Sequence, residues 1–271
     1  MIDKKIGIIG CGNMGEALLS RLAGVVEKST SIMVSEFDAA RRGYLQDKYR
    51  MIIETDNNEV VKFSDVIIIA VKPKDFESLL KNEICCGVSD KKLVISIAAG
   101  VTTKYIEGIL GKEIPVIRAM PNMAALIGHA VSSLSAGSSA RPAHMALAKE
   151  IFSLIGDVVE VDEELVDAVT AVSGSGPAYF FYFIESLYEA AEELRLPEEA
   201  ARKLVLKTAL GSVRLLHDLK EDPAALRKKV TSRGGTTEAA FKVLDRKKVK
   251  DTIKAAVKKA CSHSKKLSKG K

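Results

Sequence analysis

A glycine-rich segment near the start of the chain constrains the fold more than any other feature. Gly10, Gly12 and Gly15 have the spacing Gly-x-Gly-x-x-Gly. The apolar run at residues 6–9 predicts a strand before them, and the helical apolar spacing of residues 14–23 predicts a helix after them. In this context the first glycine permits a tight turn, the second lets a pyrophosphate approach the backbone, and the third lets the helix pack closely on the strand. The segment therefore predicts a dinucleotide-binding turn.

The same alternation of strand and helix patterns continues through the first half of the chain. Further apolar runs that predict strands lie at residues 32–34, 66–71, 93–97 and 116–117. A helical pattern at residues 38–49 begins with Asp38, a residue type that often caps helix N-termini. Strands that alternate with helices indicate βαβ units and a parallel sheet.

The pattern changes in the second half, where no convincing strand is found. Helical apolar spacing occurs at residues 166–172, 179–194, 198–216, 237–244 and 249–267. Prolines suit the first turn of a helix, and three stand where helix starts are expected: Pro177, Pro197 and Pro223. We therefore predict an α/β Rossmann dinucleotide-binding domain at residues 1–162 and an all-α domain at residues 163–271.

The composition excludes several other classes of protein. The 271 residues are 47 % apolar and 28 % charged, which is typical of a globular protein. No unbroken apolar run, residues 66–71 included, approaches the ~20 residues needed to span a bilayer. No charged and then apolar leader precedes the first strand. These features predict a soluble, cytoplasmic protein with no membrane partner.

The net charge of +6 is unevenly distributed, because lysines are dense at residues 242–271. A basic tail can contact nucleic acid. However, no aromatic residue interleaves with these lysines, and the chain contains no Trp. We therefore predict a solvated helix face and no nucleic-acid partner.

The cysteines and histidines form no pattern typical of a catalytic or metal site. The cysteines lack paired metal-ligand spacing and are expected to be reduced thiols; they are Cys11, Cys85, Cys86 and Cys261. The histidines are scattered and are expected to be surface or packing residues; they are His129, His144, His217 and His263. We predict no metal site.

The residues after the second predicted strand bear on the choice of cofactor. Ser35 and Glu36 lie about 20 residues past Gly15, where an acidic side chain binds the ribose 2′-OH of NADH. Arg41 and Arg42 follow one helical turn later and are able to neutralise the 2′-phosphate of NADPH instead. Both cofactors remain open, and Glu36 favours NADH.

A second glycine-rich turn, at residues 234–237, precedes a predicted helix. Its glycines expose the backbone, and the first N–H groups of a helix lack partners and attract negative charge. A substrate carboxylate is the natural ligand of such a turn. The alternative is a purely structural turn in which a threonine caps the helix.

Several segments together resemble the pyrroline-5-carboxylate reductase family. They are residues 10–15 (Gly-Cys-Gly-Asn-Met-Gly), 70–73 (Ala-Val-Lys-Pro), 98–101 (Ala-Ala-Gly-Val), 118–122 (Arg-Ala-Met-Pro-Asn), 167–179 and 231–237. The resemblance covers nearly the whole chain. It implies reduction of the cyclic imine Δ1-pyrroline-5-carboxylate to L-proline with NADPH or NADH. It also implies a helical domain that forms homodimers, which often assemble into decamers.

The resemblance also implies roles for individual residues. Thr237 is the predicted catalytic residue, because the matching residue of the family binds the ring nitrogen. The predicted substrate-binding residues are Glu163, Ser175, Ser232, Gly234, Gly235, Thr236 and Thr237. The predicted cofactor-binding residues are Gly10, Gly12, Asn13, Met14, Gly15, Ser35, Glu36, Asn57, Ala70, Val71, Lys72, Pro73, Ala98, Ala99, Gly100 and Asn122.

Two departures from the family pattern affect the predicted pocket. Arg233 replaces the usual proline of the second turn, which removes a rigid φ angle and adds a charge. Met123 and Ala124 replace a threonine and a proline after Met-Pro-Asn. The substrate range therefore remains open, and the six-membered piperideine carboxylate is an alternative substrate.

The scarcity of acid–base groups favours imine reduction over two other functions. A carbonyl reductase needs a strong proton donor, whereas a protonated imine is already electrophilic. A β-hydroxyacid dehydrogenase uses a lysine on the helix that corresponds to residues 179–194, which contain none. A non-catalytic binding protein is the other alternative, and the retained Ser175 and Thr237 segments argue against it.

Overall fold

The computed structural model describes residues 2–25, 31–110 and 113–268. The end of the predicted basic tail, residues 269–271, lies outside the described residues. The chain divides into two compact units. The sheet unit runs to Ser175 and includes the segment that begins at Ala260, and the helical unit is Gly176–Lys259.

The sheet unit is built on one eight-stranded sheet. Its strands are β1 (Ile6–Ile9), β2 (Ile32–Ser35), β3 (Ile53–Glu54), β4 (Val66–Ile69), β5 (Leu93–Ser96), β6 (Val116–Met120), β7 (Ala130–Ala136) and β8 (Gly156–Glu160). Their order is β3-β2-β1-β4-β5-β6-β7-β8. All neighbouring pairs are parallel except β6 and β7. The chain order reverses beside β1, where a Rossmann sheet binds its ligand.

Helices cover the sheet. They are α1 (Asn13–Leu22), α2 (Ala39–Tyr49), α3 (Asn57–Phe63), α4 (Phe76–Ser78), α5 (Thr103–Leu110), α6 (Pro142–Ser153) and α7 (Val166–Val169). Two of them continue as π-helical turns, α4 into Leu79–Ile84 and α7 into Thr170–Gly174. As predicted, Asp38 caps α2, because its carboxylate accepts a hydrogen bond from the Arg41 N–H.

Two apolar clusters form the core of the sheet unit. One includes Ile68 of β4 together with Leu18 of α1 and Phe152 of α6. The other includes Ile67 of β4 and Ile106 of α5. Because successive side chains of a strand point to opposite faces, β4 serves both clusters and all its side chains are buried. This confirms a strand within the apolar run at residues 66–71, and a strand without polar side chains is what burial on both faces requires.

The helical unit contains the helices predicted at residues 179–194, 198–216 and 237–244 and the start of the one predicted at 249–267. The described residues 163–268 include no strand, as expected. Its helices are α8 (Gly176–Glu193), α9 (Glu198–Leu219), α10 (Pro223–Lys229), α11 (Thr236–Arg246) and α12 (Val249–Ser268), the last of which ends in the sheet unit. Within the described residues, no helix is both long enough and apolar enough to cross a membrane.

The sheet is predominantly parallel, as predicted, but it includes one antiparallel pair of strands. β7 runs antiparallel to β6. The two strands are joined through a short 3-10 helix, Met123–Ile127, and a parallel return requires a longer crossover. The sequence reading missed β7 because Ser132, Ser133 and Ser135 are buried in it and interrupt the apolar pattern.

The compact units divide the chain later than the predicted boundary at residue 162. The Glu163 carboxylate accepts hydrogen bonds from Thr103, at 2.8 Å from the N–H and 2.6 Å from the hydroxyl. The Ser264 hydroxyl, near the end of α12, donates to Asp167 at 2.6 Å. These contacts attach both segments to the sheet unit. The division into functional domains at 1–162 and 163–271 stays a prediction.

Candidate functional site

The glycine turn after β1 is shaped by close backbone contacts. Gly10 has a φ angle of +81°, and a Cβ there would lie 3.1 Å from the Val71 backbone nitrogen. A Cβ on Gly15 would lie 2.5 Å from the Gly10 carbonyl oxygen. Neither position accepts a side chain without a backbone shift, so the turn and the approach of α1 to β1 depend on glycine.

Gly12 differs from the other two glycines, because nothing in the described structure requires it. It is the N-cap of α1, and a Cβ there would have no described atom within 4 Å. The N–H groups at a helix N-terminus lack intrahelical acceptors, and the helix dipole attracts anions there. An open surface at this helix end fits the pyrophosphate of a dinucleotide.

Ser35, Glu36 and Asn57 meet beside this turn. The Ser35 hydroxyl donates to the Asn57 side-chain oxygen at 2.6 Å. The Glu36 carboxylate accepts from the Cys11 N–H at 2.8 Å and from the Asp38 N–H at 3.0 Å. The acidic side chain predicted to face the ribose is thus held at the turn by two backbone amides.

The segments after β4 and β5 lie at the same edge of the sheet as the turn. The Ala70 N–H donates to the Ile9 carbonyl at 2.8 Å, and Val71 contacts Gly10. The Ile97 N–H donates to the Ile69 carbonyl at 3.1 Å. The carboxyl ends of parallel strands thus bring residues 70–73 and 98–100 to the edge where the turn lies.

Gly100 has an additional contact with the end of the chain. Its φ angle is +75°, and a Cβ there would lie 3.2 Å from the backbone of Leu267. The last turn of α12 therefore covers this part of the loop after β5.

A cavity of about 340 Å³ lies within the sheet unit. It brings together three predicted segments: the start of α1, the residues around Met120-Pro121-Asn122, and the end of the π-helical turn that follows α7. Its lining residues are Asn13, Met14, Met120, Pro121, Asn122, Met123, Leu126, Thr170, Gly174 and Ser175. None of these described lining residues has an ionisable side chain.

Asn122 is a polar residue of this cavity with a buried side-chain atom that has no described hydrogen-bond partner. Its amide nitrogen donates to the Ser173 hydroxyl at 3.3 Å. Its side-chain oxygen is buried and has no partner among the described residues. A buried acceptor without a donor is costly, so this oxygen is suited to accept an N–H group from a ligand.

The second glycine turn belongs to the helical unit. Gly235 is the N-cap of α11, so a threonine cap is not what begins this helix. Gly234 has a φ angle of +74°, and its N–H donates to the Glu238 carboxylate at 2.8 Å. The sequence reading missed Glu238, although an acidic residue in the first turn of a helix is a recognisable signal.

Glu163 lies in the sheet unit, bound to residues of its own chain. Besides Thr103, it contacts Arg118, whose guanidinium nitrogen is 3.3 Å from a carboxylate oxygen of Glu163. Arg118 is only 3 % exposed. These bonds join Glu163 to β6 and to the start of α5, and its predicted substrate contact stays a prediction.

Cys11, the cysteine of the glycine turn, has a buried thiol that is not activated as a nucleophile. Burial raises the pKa of Cys11 to about 12, so its thiol stays protonated at neutral pH. The four cysteines are all free thiols. Among the described residues, no group of three or more His, Cys, Asp or Glu side chains is arranged to hold a metal ion.

Comparison with known proteins gives consistent matches along the chain. A family model for pyrroline-5-carboxylate reductase dimerisation matches residues 163–267, and one for coenzyme F420-dependent NADP oxidoreductase matches residues 5–100. The pyrroline-5-carboxylate reductase of Synechocystis sp. is 42 % identical over 271 residues, which cover 98 % of each chain.

Two solved structures are also similar. That of a pyrroline-5-carboxylate reductase from Coxiella burnetii has a TM-score of 0.89 and 34 % identity, and the match covers 98 % of this chain and 99 % of that one. That of the Plasmodium falciparum pyrroline carboxylate reductase with NADP bound has a TM-score of 0.89, 30 % identity and 99 % coverage of both chains. Because these similarities extend over the full length of the chain, the chain belongs to the pyrroline-5-carboxylate reductase family.

Proposed function

We propose that the chain catalyses the NAD(P)H-dependent reduction of Δ1-pyrroline-5-carboxylate to L-proline. The observation that carries this proposal is the cavity that joins the start of α1 to Asn122 and Ser175. Asn13 and Met14 of the predicted cofactor turn line it together with Gly174 and Ser175 of one family-like segment, which supports the proposal. The full-length relatives named pyrroline-5-carboxylate reductase support the same reaction.

The residues of the sheet unit fit a nicotinamide dinucleotide. The open N-terminus of α1 at Gly12 would hold the pyrophosphate, and the segments at residues 70–73 and 98–100 would line the cofactor. Asn122 would use its unpaired side-chain oxygen to orient an N–H group in the cavity. The bound nicotinamide supplies a hydride.

The chemistry of the cavity lining suits an imine substrate. A ketone requires a strong proton donor as the hydride arrives, and the described lining has no ionisable side chain to act as one. A cyclic iminium already carries the proton that the product amine retains. The protein therefore acts mainly by orienting the imine carbon and excluding water, and correct positioning is worth several kcal/mol.

The second glycine turn is the proposed substrate-recognition element. The Thr237 hydroxyl would bind the ring nitrogen, and the Ser232–Thr236 backbone would hold the carboxylate. The N-terminus of α11 supports this role, because Gly235 leaves that end of the helix without a side-chain cap. Ser175 and Glu163 remain proposed substrate residues in the sheet unit.

The helical unit is proposed to form a homodimer. Four consecutive aromatic side chains on α8, Phe180 to Phe183, are 58–73 % exposed. An exposed apolar patch of this kind is typical of a protein interface, and residues 163–267 match a dimerisation family model. Assembly of dimers into a decamer is a further proposal from the family resemblance, and a cytoplasmic location is one from the short apolar runs.

Steady-state kinetics test the reaction directly. Purified protein is mixed with pyrroline-5-carboxylate and either NADH or NADPH, and the loss of reduced nicotinamide absorbance is followed. We expect turnover and the formation of proline. Piperideine carboxylate, in parallel, tests the six-membered alternative, and a 3-hydroxy acid with NAD⁺ tests the dehydrogenase alternative. Cofactor binding without any imine reduction would contradict the proposal.

A further inference from the structure

We propose that Glu16 makes this chain select the cofactor with an unphosphorylated ribose, because it withholds the Arg41 cation from the ribose site that Glu36 occupies. Glu16 is thus a positioning residue for cofactor choice. The inference rests on the proposed cofactor site and goes beyond it, since the proposed reaction accepts NADH or NADPH.

Glu36 places a fixed negative charge at the carboxyl end of β2. Each of its carboxylate oxygens accepts one backbone N–H, from Cys11 and from Asp38. A carboxylate oxygen has a second lone pair that is able to accept a ribose hydroxyl. A 2′-phosphate would instead bring further negative charge against this carboxylate, which is unfavourable. The two backbone hydrogen bonds keep the carboxylate from turning away.

Selection of NADPH at such a site requires a free cation, and Arg41 is not free. Its Nε donates to the Cys11 carbonyl at 2.9 Å, so the side chain lies directly at the turn. Its guanidinium also forms an ion pair with Glu16. The positive charge nearest the turn is therefore already compensated within the chain.

Glu16 is well suited to keep this hold. Its side chain is 12 % exposed. It accepts hydrogen bonds from four side chains of α2, which are Arg41, Tyr44, Lys48 and Tyr49. Burial alone would raise the pKa of Glu16, but these hydrogen bonds together hold its pKa below the usual value. Glu16 is thus ionised at neutral pH.

Arg42 is the competing cation. Its guanidinium donates to the backbone carbonyls of Glu36 at 3.0 Å and of Phe37 at 2.7 Å. Among the described residues no carboxylate forms an ion pair with it. We assign Arg42 the role of binding the backbone after β2. The Arg42→Ala variant separates this role from phosphate binding.

The test measures dissociation constants of NAD⁺ and NADP⁺ by calorimetry, without imine substrate. Wild-type protein is expected to bind NAD⁺ more tightly. Glu16→Gln keeps an acceptor but removes the charge that compensates Arg41, so NADP⁺ is expected to bind about tenfold more tightly while NAD⁺ changes by less than about twofold. Glu36→Gln is expected to tighten NADP⁺ and to weaken NAD⁺.

Three further variants make the result specific. Tyr44→Phe is the matched control, because it removes a hydrogen bond to the other carboxylate oxygen of Glu16 and leaves the Arg41 pair intact. It is expected to leave the NADP⁺ to NAD⁺ ratio unchanged. In Glu16→Gln combined with Arg41→Ala, the gain in NADP⁺ affinity should disappear. Arg42→Ala should not change the ratio.

Three outcomes would overturn the inference: tighter binding of NADP⁺ by the wild type, a Glu16→Gln gain that persists without Arg41, or loss of NADP⁺ affinity in Arg42→Ala alone. Thermal unfolding of each variant shows whether it is folded. The wild-type binding ratio keeps the inference falsifiable even if Glu16→Gln is unstable, because tighter binding of NADP⁺ by the wild type overturns it alone. Because no imine is present, failure of the proposed reaction leaves these binding ratios untouched.

Discussion

The sheet unit and the helical unit treat their apolar side chains in opposite ways. In the sheet unit, large side chains such as Ile67, Phe76 and Phe152 are completely buried. In the helical unit, the described residues that are buried are all small, namely Gly176, Ala191 and Ala201. The sheet unit therefore contains its own core, whereas the helical unit exposes large apolar side chains, which supports the proposed dimer.

The two glycine turns differ in the same sense. The turn at Gly10 to Gly15 is held by packing of its backbone against neighbouring strands. The turn at Gly234 lies on the surface of its unit, and its N–H is satisfied by Glu238 of the following helix. The first turn packs against a buried core, whereas the second belongs to the unit that is proposed to dimerise.

The largest expected effect concerns the exposed apolar face of α8, the proposed dimer interface of the helical unit. Replacement of both Phe180 and Phe183 by Asp places charges on the exposed apolar face of α8. We expect dimer affinity to fall by about 100-fold or more, as for truncation of two interface hot spots. Sedimentation velocity measures the change. Phe37→Asp is the matched control, because Phe37 is a 95 % exposed aromatic residue of the sheet unit. A variant that stays dimeric would show that α8 is not the interface.

The second prediction concerns the self-contained core. In Gly15→Ala the new methyl group meets the Gly10 carbonyl, so the free energy of unfolding should fall by about 1–3 kcal/mol. In Gly12→Ala the methyl group enters open space, so stability should hardly change while cofactor affinity falls. Chemical denaturation and calorimetry measure the two quantities. Equal losses of stability in both variants would refute the separate steric roles of these glycines.

The third prediction compares hydroxyl groups in and before the second turn. Thr237→Ala should lower kcat/KM for pyrroline-5-carboxylate by about tenfold, because one positioned hydrogen bond is lost. Thr231→Ala is the control, since the Thr231 hydroxyl already donates to the Arg227 carbonyl at 2.7 Å. Wild-type kinetics in Thr237→Ala would remove this residue from the proposed mechanism.

The smallest expected effect is a pH dependence of stability from Cys11. Its pKa is raised by burial from 9.0 to about 12 in the folded chain. Between these values the unfolded state releases the proton and the folded state keeps it, so stability is lost as pH rises. Unfolding of the wild type and of Cys11→Ala is compared from pH 8 upward, roughly across this interval. Parallel pH profiles of the two proteins would contradict a buried neutral thiol.

Local pattern was sufficient for much of the fold. The glycine spacing, the apolar run of β4 and the long helices α8 and α9 all follow from steric rules and periodicities that act over a few residues. Asn13 and Ser175 were predicted in two separate motifs, and the sequence did not show that they line one cavity. The motifs were recognisable because each has its own backbone requirement, but their meeting depends on the whole sheet.

The sequence by itself thus determined the kinds of element and the chemistry available: a dinucleotide turn, a strand buried on both faces, and helices with apolar faces. The tertiary structure alone decided that β7 pairs antiparallel with β6 and that backbone N–H groups bind the Glu36 carboxylate. It also decided that Glu16 forms an ion pair with Arg41. These features join residues far apart in the chain. Local periodicity carries no information about such pairs, because they form only when the completed sheet brings distant segments into contact.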